Sequence, residues 1–491
     1  MRRFSTLLVG LSFSLSAYAV EPTPNTAPNQ PSKPDVIGAI KGWSQAGDMK
    51  ISLPVTRFTL ENGLTVILLE DHSVPMVSYH TWYRVGSRDE SPGVTGAAHM
   101  LEHMMFKGAK KYDGKSFDRI FHENGITNNA FTTNDYTGFF ENLPSSKLEL
   151  VMDMEVDRMS SLSLNPADLK SEKEVVKEER RWRVDNNPMG LVRELMMSTV
   201  FKYNPYHWPV IGYMKDIANY DVEKLRFFYS TYYVPNNAVL VLVGDFKTST
   251  AKSLIEKYYG GLAYRPLPRR NYPKEPKQEV QENATLRKDV QNSSFVVAFQ
   301  SPKQGEADMY PLDLAANILG NGTSSRLYKR LVYQKQIATS AYSFNYAMRE
   351  AGVFAVGVNL KPGFGIQESL DITYNELWKL RNQKVTEKEL AKAKTQVMKD
   401  LVDSLKTMDG KARALAVNEI VTGTYETLFT DLDKYEAVTA DDIKKVADKY
   451  TNQTQRSVIV LQPKNAPTQE AQSAATPEAK QEAKPESKKE E

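Results

Sequence analysis

The sequence predicts two copies of one α/β unit in tandem. Three observations carry the prediction: strand-like runs alternate with helix-like ones from Val55 onward, much of the pattern recurs at one fixed offset along the chain, and a Pro-rich, basic segment divides the copies. The offset lays EKLRFFYSTYY (223–233) on DDIKKVADKYT (441–451), AVLVLVG on RSVIVLQ, and Ala97-Ala98-His99-Met100-Leu101 on Ala315-Ala316-Asn317-Ile318-Leu319. Asn317, Gly320 and Asn321 stand in the second copy where the first has His99, Glu102 and His103. Only the first copy is therefore expected to carry a polar cluster on this helix.

In chain order, residues 1–19 read as a cleavable export signal: Arg2 and Arg3, then LLVGLSFSLS, then Ala17-Tyr18-Ala19 as a small-x-small cleavage site. The apolar stretch is too short for a bilayer, and no later run reaches about 18 apolar residues, so no membrane insertion is expected. With no Cys anywhere, there is no disulfide framework, lipid-anchoring Cys or thiolate ligand. A bacterial-style signal points to the periplasm. Residues 20–50, rich in Pro, Asn and Ser, read as a flexible lead. About 470 residues remain after cleavage, enough for two or three ordinary domains. With 63 basic and 60 acidic residues, the net charge of +3 shows no bias toward nucleic acid or anionic membrane.

The first unit is expected over 51–262. TRFTL and LTVILLE flank the turn ENG, and MVSYHTWYRV alternates as a third strand. A helix follows over about 94–107 and a short one around 116–123, and NNAFTTNDYTGFFENLP is expected as one strand. Helices are expected over 145–160, 166–185 and 221–231, and the apolar strand AVLVLVGDF (238–246) closes the unit. Residues 263–280 read as the linker, 281–464 as the second unit, and 465–491, almost without apolar residues beyond Ala, as a disordered tail.

The chemistry gathers at GVTGAAHMLEHMMFKG. On a helix, positions i, i+3 and i+4 share a face, so His99, Glu102 and His103 project together. Two imidazoles suit Zn2+, and the adjoining carboxylate gives the HxxEH order in which Glu102 serves as general base toward a metal-activated water. The rest of the helix is Ala, Met, Leu and Phe, and a core-facing helix does not accept three ionisable groups on one face without compensation. A third protein ligand has to come from elsewhere, and LKSEKEVVKEERRW offers Glu172, Glu174, Glu178 and Glu179, among which spacing does not choose. His72, His80, His122 and His207 have no ligand spacing to one another, and Met100, Met104 and Met105 read as core filling.

HMLEH within GAAHMLEHMMFKG, then NNAFTTNDYTGFF, then EKEVVKEE, resembles the pitrilysin family of zinc peptidases, which includes insulin-degrading enzyme and mitochondrial processing peptidase. The likeness spans about 50–464. It implies a two-domain α+β fold, each unit a sheet with helices on one side, and zinc-dependent endoproteolysis of peptides or unfolded segments. It also implies the third ligand: a Glu well downstream of the second His, with an important Glu close to two helical turns before it. Glu179 and Glu172 match that placement relative to His103, with Glu178 one register away. The resemblance further implies that Asn129 and Ala130, in Asn129-Ala130-Phe131-Thr132, bind an extended substrate as an added β-strand.

One departure stands out. Active members carry an Arg and a Tyr seven apart after a GTSSRL-like segment, where they are thought to hold the substrate carbonyl. Here LVYQKQIATS sets Val332 and Thr339 at those positions, with Tyr342 a little further on. Some two-chain members divide these duties. The expectation is a zinc-bearing subunit that works with a homologous partner in a heterodimer, or as a homodimer. The competing expectation is a non-catalytic scaffold or peptide-binding subunit of the same fold.

Overall fold

The computed structural model describes residues 52–465. The expected signal segment (1–19), the lead (20–50) and all but the first residue of the expected tail lie outside the described residues.

The first sheet is built from β1 (Thr56–Thr59), β2 (Thr65–Glu70), β3 (Met76–Tyr83), β4 (Thr127–Thr132), β5 (Thr137–Pro144) and β6 (Ala238–Gly244), in the order β1-β2-β6-β3-β5-β4. Its helices are α1 (Ala97–Met104), α2 (Gly114–Glu123), α3 (Leu148–Ser161), α4 (Pro166–Arg180), α5 (Pro188–Val200), α6 (Met214–Ala218), α7 (Val222–Tyr232) and α8 (Thr248–Tyr259). The second sheet consists of β7 (Glu282–Lys288), β8 (Ser294–Ser301), β9 (Ala338–Ala347), β10 (Gly352–Leu360) and β11 (Ser457–Pro463), in the order β7-β11-β8-β10-β9. It is accompanied by α9 (Met309–Gly320), α10 (Ile366–Asn382), α11 (Glu387–Ser404), α12 (Met408–Thr422), α13 (Thr427–Ala437) and α14 (Ala440–Tyr450).

The two sheets share one topology. β2 pairs parallel with β6 as β7 does with β11, and β3 and β8 lie antiparallel beside them. β3 and β8 start at Met76 and Ser294, and α7 and α14 at Val222 and Ala440, both at the offset that takes Ala97 to Ala315 in the sequence pattern.

The helices are not confined to one side of each sheet. β6 is buried along its whole length, so both of its faces need cover. Leu240 and Leu242 pack with α1, α3, α7 and α8 of the same half, whereas Val239, Val241 and Val243 pack against Ala412, Leu415, Ala416 and Ile420 of α12. The second sheet is treated reciprocally. Phe295 and Val297 of β8 face α9, α10 and α14, and Val296 and Ala298 face Val192, Met196 and Val200 of α5, which belongs to the first half. Each half thus lends one helix to the other's sheet.

Four local expectations are corrected. NNAFTTNDYTGFFENLP is a hairpin, not one strand: β4 and β5 are joined by a turn in which Thr133 N–H donates to Tyr136 O (2.9 Å) and Thr133 Oγ1 accepts from the N–H groups of Asp135 and Tyr136. TNDY supplies the turn chemistry. The strand at 238–244 does not close the first half, because KTSTAKSLIEKYY continues as α8. α1 begins only at Ala97, since Gly96 before it is left-handed, and the helix expected over 166–185 ends as α at Arg180 and passes into a π-helical turn over Arg181–Asp185. Between Tyr259 and Glu282 no helix or strand forms, and the segment is strapped down: Arg270 Nε lies 2.7 Å from Asp89, Tyr272 Oη donates to Asp89 (2.6 Å), and Glu275 accepts from the N–H groups of Tyr203 and Asn204.

Candidate metal centre

The HMLEH helix is anchored at its start. Gly96 has φ +87°, and a Cβ there would meet Ile211 O at 2.4 Å, so only glycine fits. The buried Glu90 caps α1, accepting from Gly96 N–H (2.7 Å) and Ala98 N–H (2.9 Å), and Thr95 donates to Asp216 through its N–H and its hydroxyl. None of this was legible as a motif, because Glu90 and Asp216 are ordinary acids until the fold brings them to the helix end.

His99 and His103 of α1 converge with Glu179 of α4. Nε2 of His103 lies 3.3 Å and Nε2 of His99 3.7 Å from Oε2 of Glu179, and one ligand atom from each residue lies within 4.8 Å of the others. Ligands at about 2.0–2.1 Å from a tetrahedral zinc stand about 3.3–3.4 Å apart, so these spacings suit that ion. His99 supplies a second indication. Its Nδ1 is buried without a hydrogen-bond partner, and its Nε2 is beyond hydrogen-bond range of Glu179. The Nε2 lone pair, facing Glu179 without a hydrogen bond to it, is the one a cation would take up.

The electrostatics fit a cation as well. Burial drives His99 down to about 3, which keeps it neutral as a metal requires. Burial opposes it, yet contacts with Glu172 and Glu179 raise His103 to about 10, and Glu179, against its own desolvation, falls to about 2 beside the two histidines and Arg183. A proton on His103 holds together what a metal would otherwise hold. Arg183 Nε lies 2.9 Å from the outer oxygen of Glu179, and the i+4 spacing could have announced that pair.

Glu172 sits behind His103. Its Oε2 is 3.2 Å from His103 Nδ1, and its Oε1 pairs with Lys107, just past the C-terminal end of α1. It touches His103 from behind and is not one of the three clustered residues. Glu178 and Glu174 lie on the exposed side of α4, paired with Arg181 and Lys177. Glu102 is buried on α1, where desolvation raises its carboxyl to about 7, and Thr132 Oγ1 of β4 donates to its Oε2 at 2.6 Å. β4 is the terminal strand of its sheet. Asn129 Oδ1 accepts from the N–H of Ala130 (2.8 Å), and Ala130 is packed in the core shared with α1. The other histidines stay out of this centre: His80, for example, lies in β3 and reaches Asp409 of α12 at 3.2 Å.

Comparison with known proteins matches this architecture. The family model described as Insulinase (Peptidase family M16) matches residues 65–213, and that described as Peptidase M16 inactive domain matches residues 219–397. Zinc protease PqqE of Helicobacter pylori is 32% identical over 417 residues, covering 82% of this chain and 92% of that protein. The chain belongs to the M16 peptidase family. A solved structure, that of a protease from Helicobacter pylori, superposes with TM-score 0.80 at 30% identity, covering 84% of this chain and all of that one. The M16 inactive-domain protein of Pseudomonas fluorescens shares the fold, with TM-score 0.77 at 18% identity over 84% of this chain and 98% of that one. The match is to the pitrilysin-type, two-domain α+β arrangement that the motifs imply.

Within this M16 chain the clamp positions are committed to other uses. Val332 lies in a second π-helical turn, Tyr328–Gln334, and packs on the second half's core. Thr339 donates to Asn359 O at 3.2 Å. Tyr342 is no substitute, because its ring lies flat over Gly357, where a Cβ would sit 2.1 Å from it, and stacks on Phe344 at 6.3 Å.

Proposed function

We propose that this M16 protein is a zinc-dependent metalloendopeptidase acting on peptides or unfolded polypeptide segments. The observation that carries the reading is the convergence of His99, His103 and Glu179 beside the buried Glu102. His99, His103 and Glu179 would hold zinc, which supplies Lewis acidity toward a peptide carbonyl and lowers the pKa of water. Glu102 takes a proton from the attacking water and returns it to the departing amine as the C–N bond breaks. Glu172 and Lys107 keep His103 in one orientation. The substrate adds as a strand along β4, where Asn129 and Ala130 meet its main chain.

Val332 and Thr339 offer neither the guanidinium nor the phenol of a substrate clamp, which supports a homologous partner subunit that supplies them, in a heterodimer or a homodimer. The same absence favours the second reading, a non-catalytic scaffold or peptide-binding subunit. The signal-like residues 1–19 support export to the periplasm. No helix among the described residues is long and apolar enough to cross a membrane.

The deciding experiment combines elemental analysis for zinc with a peptide cleavage assay, run on the chain alone and with a neighbouring homologous subunit. Zinc at one equivalent and cleavage only with the partner is the expected result. Efficient cleavage by a confirmed monomer would remove the partner, and a zinc-loaded chain inactive in every combination would leave the scaffold reading.

A further inference from the structure

We propose that Thr132 is a positioning residue that sets the direction of the Glu102 carboxylate and ties it to strand β4; this rests on the peptidase reading above. Glu102 is buried and takes part in no ion pair among the described residues, and its one hydrogen bond there is the 2.6 Å contact from Thr132 Oγ1 to Oε2. Oε1 takes none there. A side chain with three rotatable bonds is thereby held at one oxygen, with the other left for a water.

The anchor itself is rigid. Just before Thr132 in the strand, Ala130 is buried in the core shared with α1, and Phe131 between them points the other way, edge-on to Trp82 at 4.9 Å and beneath Arg413 at 5.1 Å. The turn that follows is closed by Thr133, and its Asp135 is gripped by Arg88 (2.9 Å) and Tyr206 Oη (2.6 Å). Backbone on both sides of Thr132 is thus fixed by side chains from β3 of the same sheet, α12 and the 3₁₀ turns around Arg88 and Tyr206. β4 is also the strand at the open end of its sheet, so a substrate strand pairing along it lies one hydrogen bond from the base.

The test compares the zinc-loaded parent with Thr132→Val, which keeps the shape and loses the donor, and Thr132→Ser, which keeps the donor. Thr132→Ala replaces the Val variant if that one does not fold. Expected are equal zinc content in all proteins, a Tm lowered by no more than a few degrees in Thr132→Val, kcat lower by about 10- to 100-fold in that variant with KM little changed, and recovery of most of kcat in Thr132→Ser. Crystal structures of the zinc-loaded proteins are expected to show the Glu102 carboxylate rotated in the Val variant and parent-like in the Ser variant. An unrotated Glu102 in Thr132→Val overturns the proposal, as does a parent-like kcat for that variant in a combination where the parent cleaves. If the parent cleaves nothing in any combination, the peptidase reading fails, and the crystal structures still decide whether Thr132 aims Glu102.

Discussion

Nδ1 of His103 lies 3.2 Å from Oε2 of Glu172, while the other oxygen of the same carboxylate meets Lys107. In a neutral, metal-holding His103 this carboxylate would take the hydrogen on Nδ1 and leave Nε2 facing Glu179.

Replacing Glu172 by Gln is therefore expected to weaken zinc binding by about 10- to 100-fold without removing a ligand. Competition against a chromophoric chelator measures it. An unchanged affinity would show that His103 needs no support from α4.

Glu102→Gln separates the base from the metal. Zinc content is expected to stay at the parent level while kcat falls by about 10²–10⁴. Near-normal turnover on a peptide substrate would remove Glu102 from the chemistry.

Metal binding should register as stability, because zinc favours only the folded cluster. At free zinc about 100 times its dissociation constant, the gain is about 2.7 kcal/mol, and it is expected to vanish in His99→Ala and Glu179→Gln. Thermal melts with and without chelator read this directly, and a zinc-dependent shift that survives both substitutions would move the metal elsewhere.

The exchanged helices predict cooperativity. α12 follows the second sheet's strands β7–β10 in the chain yet covers the inner face of β6 in the first, so Leu415→Ala is expected to cost about 2–5 kcal/mol and to lower one common transition. Calorimetry showing two independent peaks, only one of them shifted, would contradict the interlocking.

Asp313 offers a test in pH. Desolvation between α9 and β9 raises its carboxyl from the ordinary 3.8 to about 6, against hydrogen bonds from Tyr435 and Asn345. The folded protein holds this proton where the unfolded chain has lost it, so the group's contribution is full below about pH 4 and is lost as pH rises through about 6. Asp313→Asn, neutral throughout, is expected to gain in Tm relative to the parent between pH 5 and pH 7.5. A pH-independent difference would mean that Asp313 is not desolvated.

Local periodicity explains how much was legible. The spacing of His99, Glu102 and His103 needs only the geometry of one helix, and the apolar run AVLVLVG needs only the burial of one strand, so both are written in consecutive residues. The internal repeat carries the shared topology for the same reason, since each copy restates its own local pattern. Resemblance, not spacing, singled out Glu179 among four acids, and the turn of α4 that sends Glu179 inward and Glu178 to solvent appears only when the helix is packed.

What the tertiary structure alone decided involves partners far apart in the chain. Glu90 capping α1, Thr132 reaching Glu102, α12 covering β6 and Tyr342 pressed onto Gly357 each join residues whose types are common and whose spacing is uninformative. By itself the sequence determined a duplicated α/β chain with an HxxEH helix in its first copy. Only the folded chain decided how that helix is held and which strand its glutamate faces, because hydrogen bonds and packing act over a few ångströms and topology alone says which distant residues come that close.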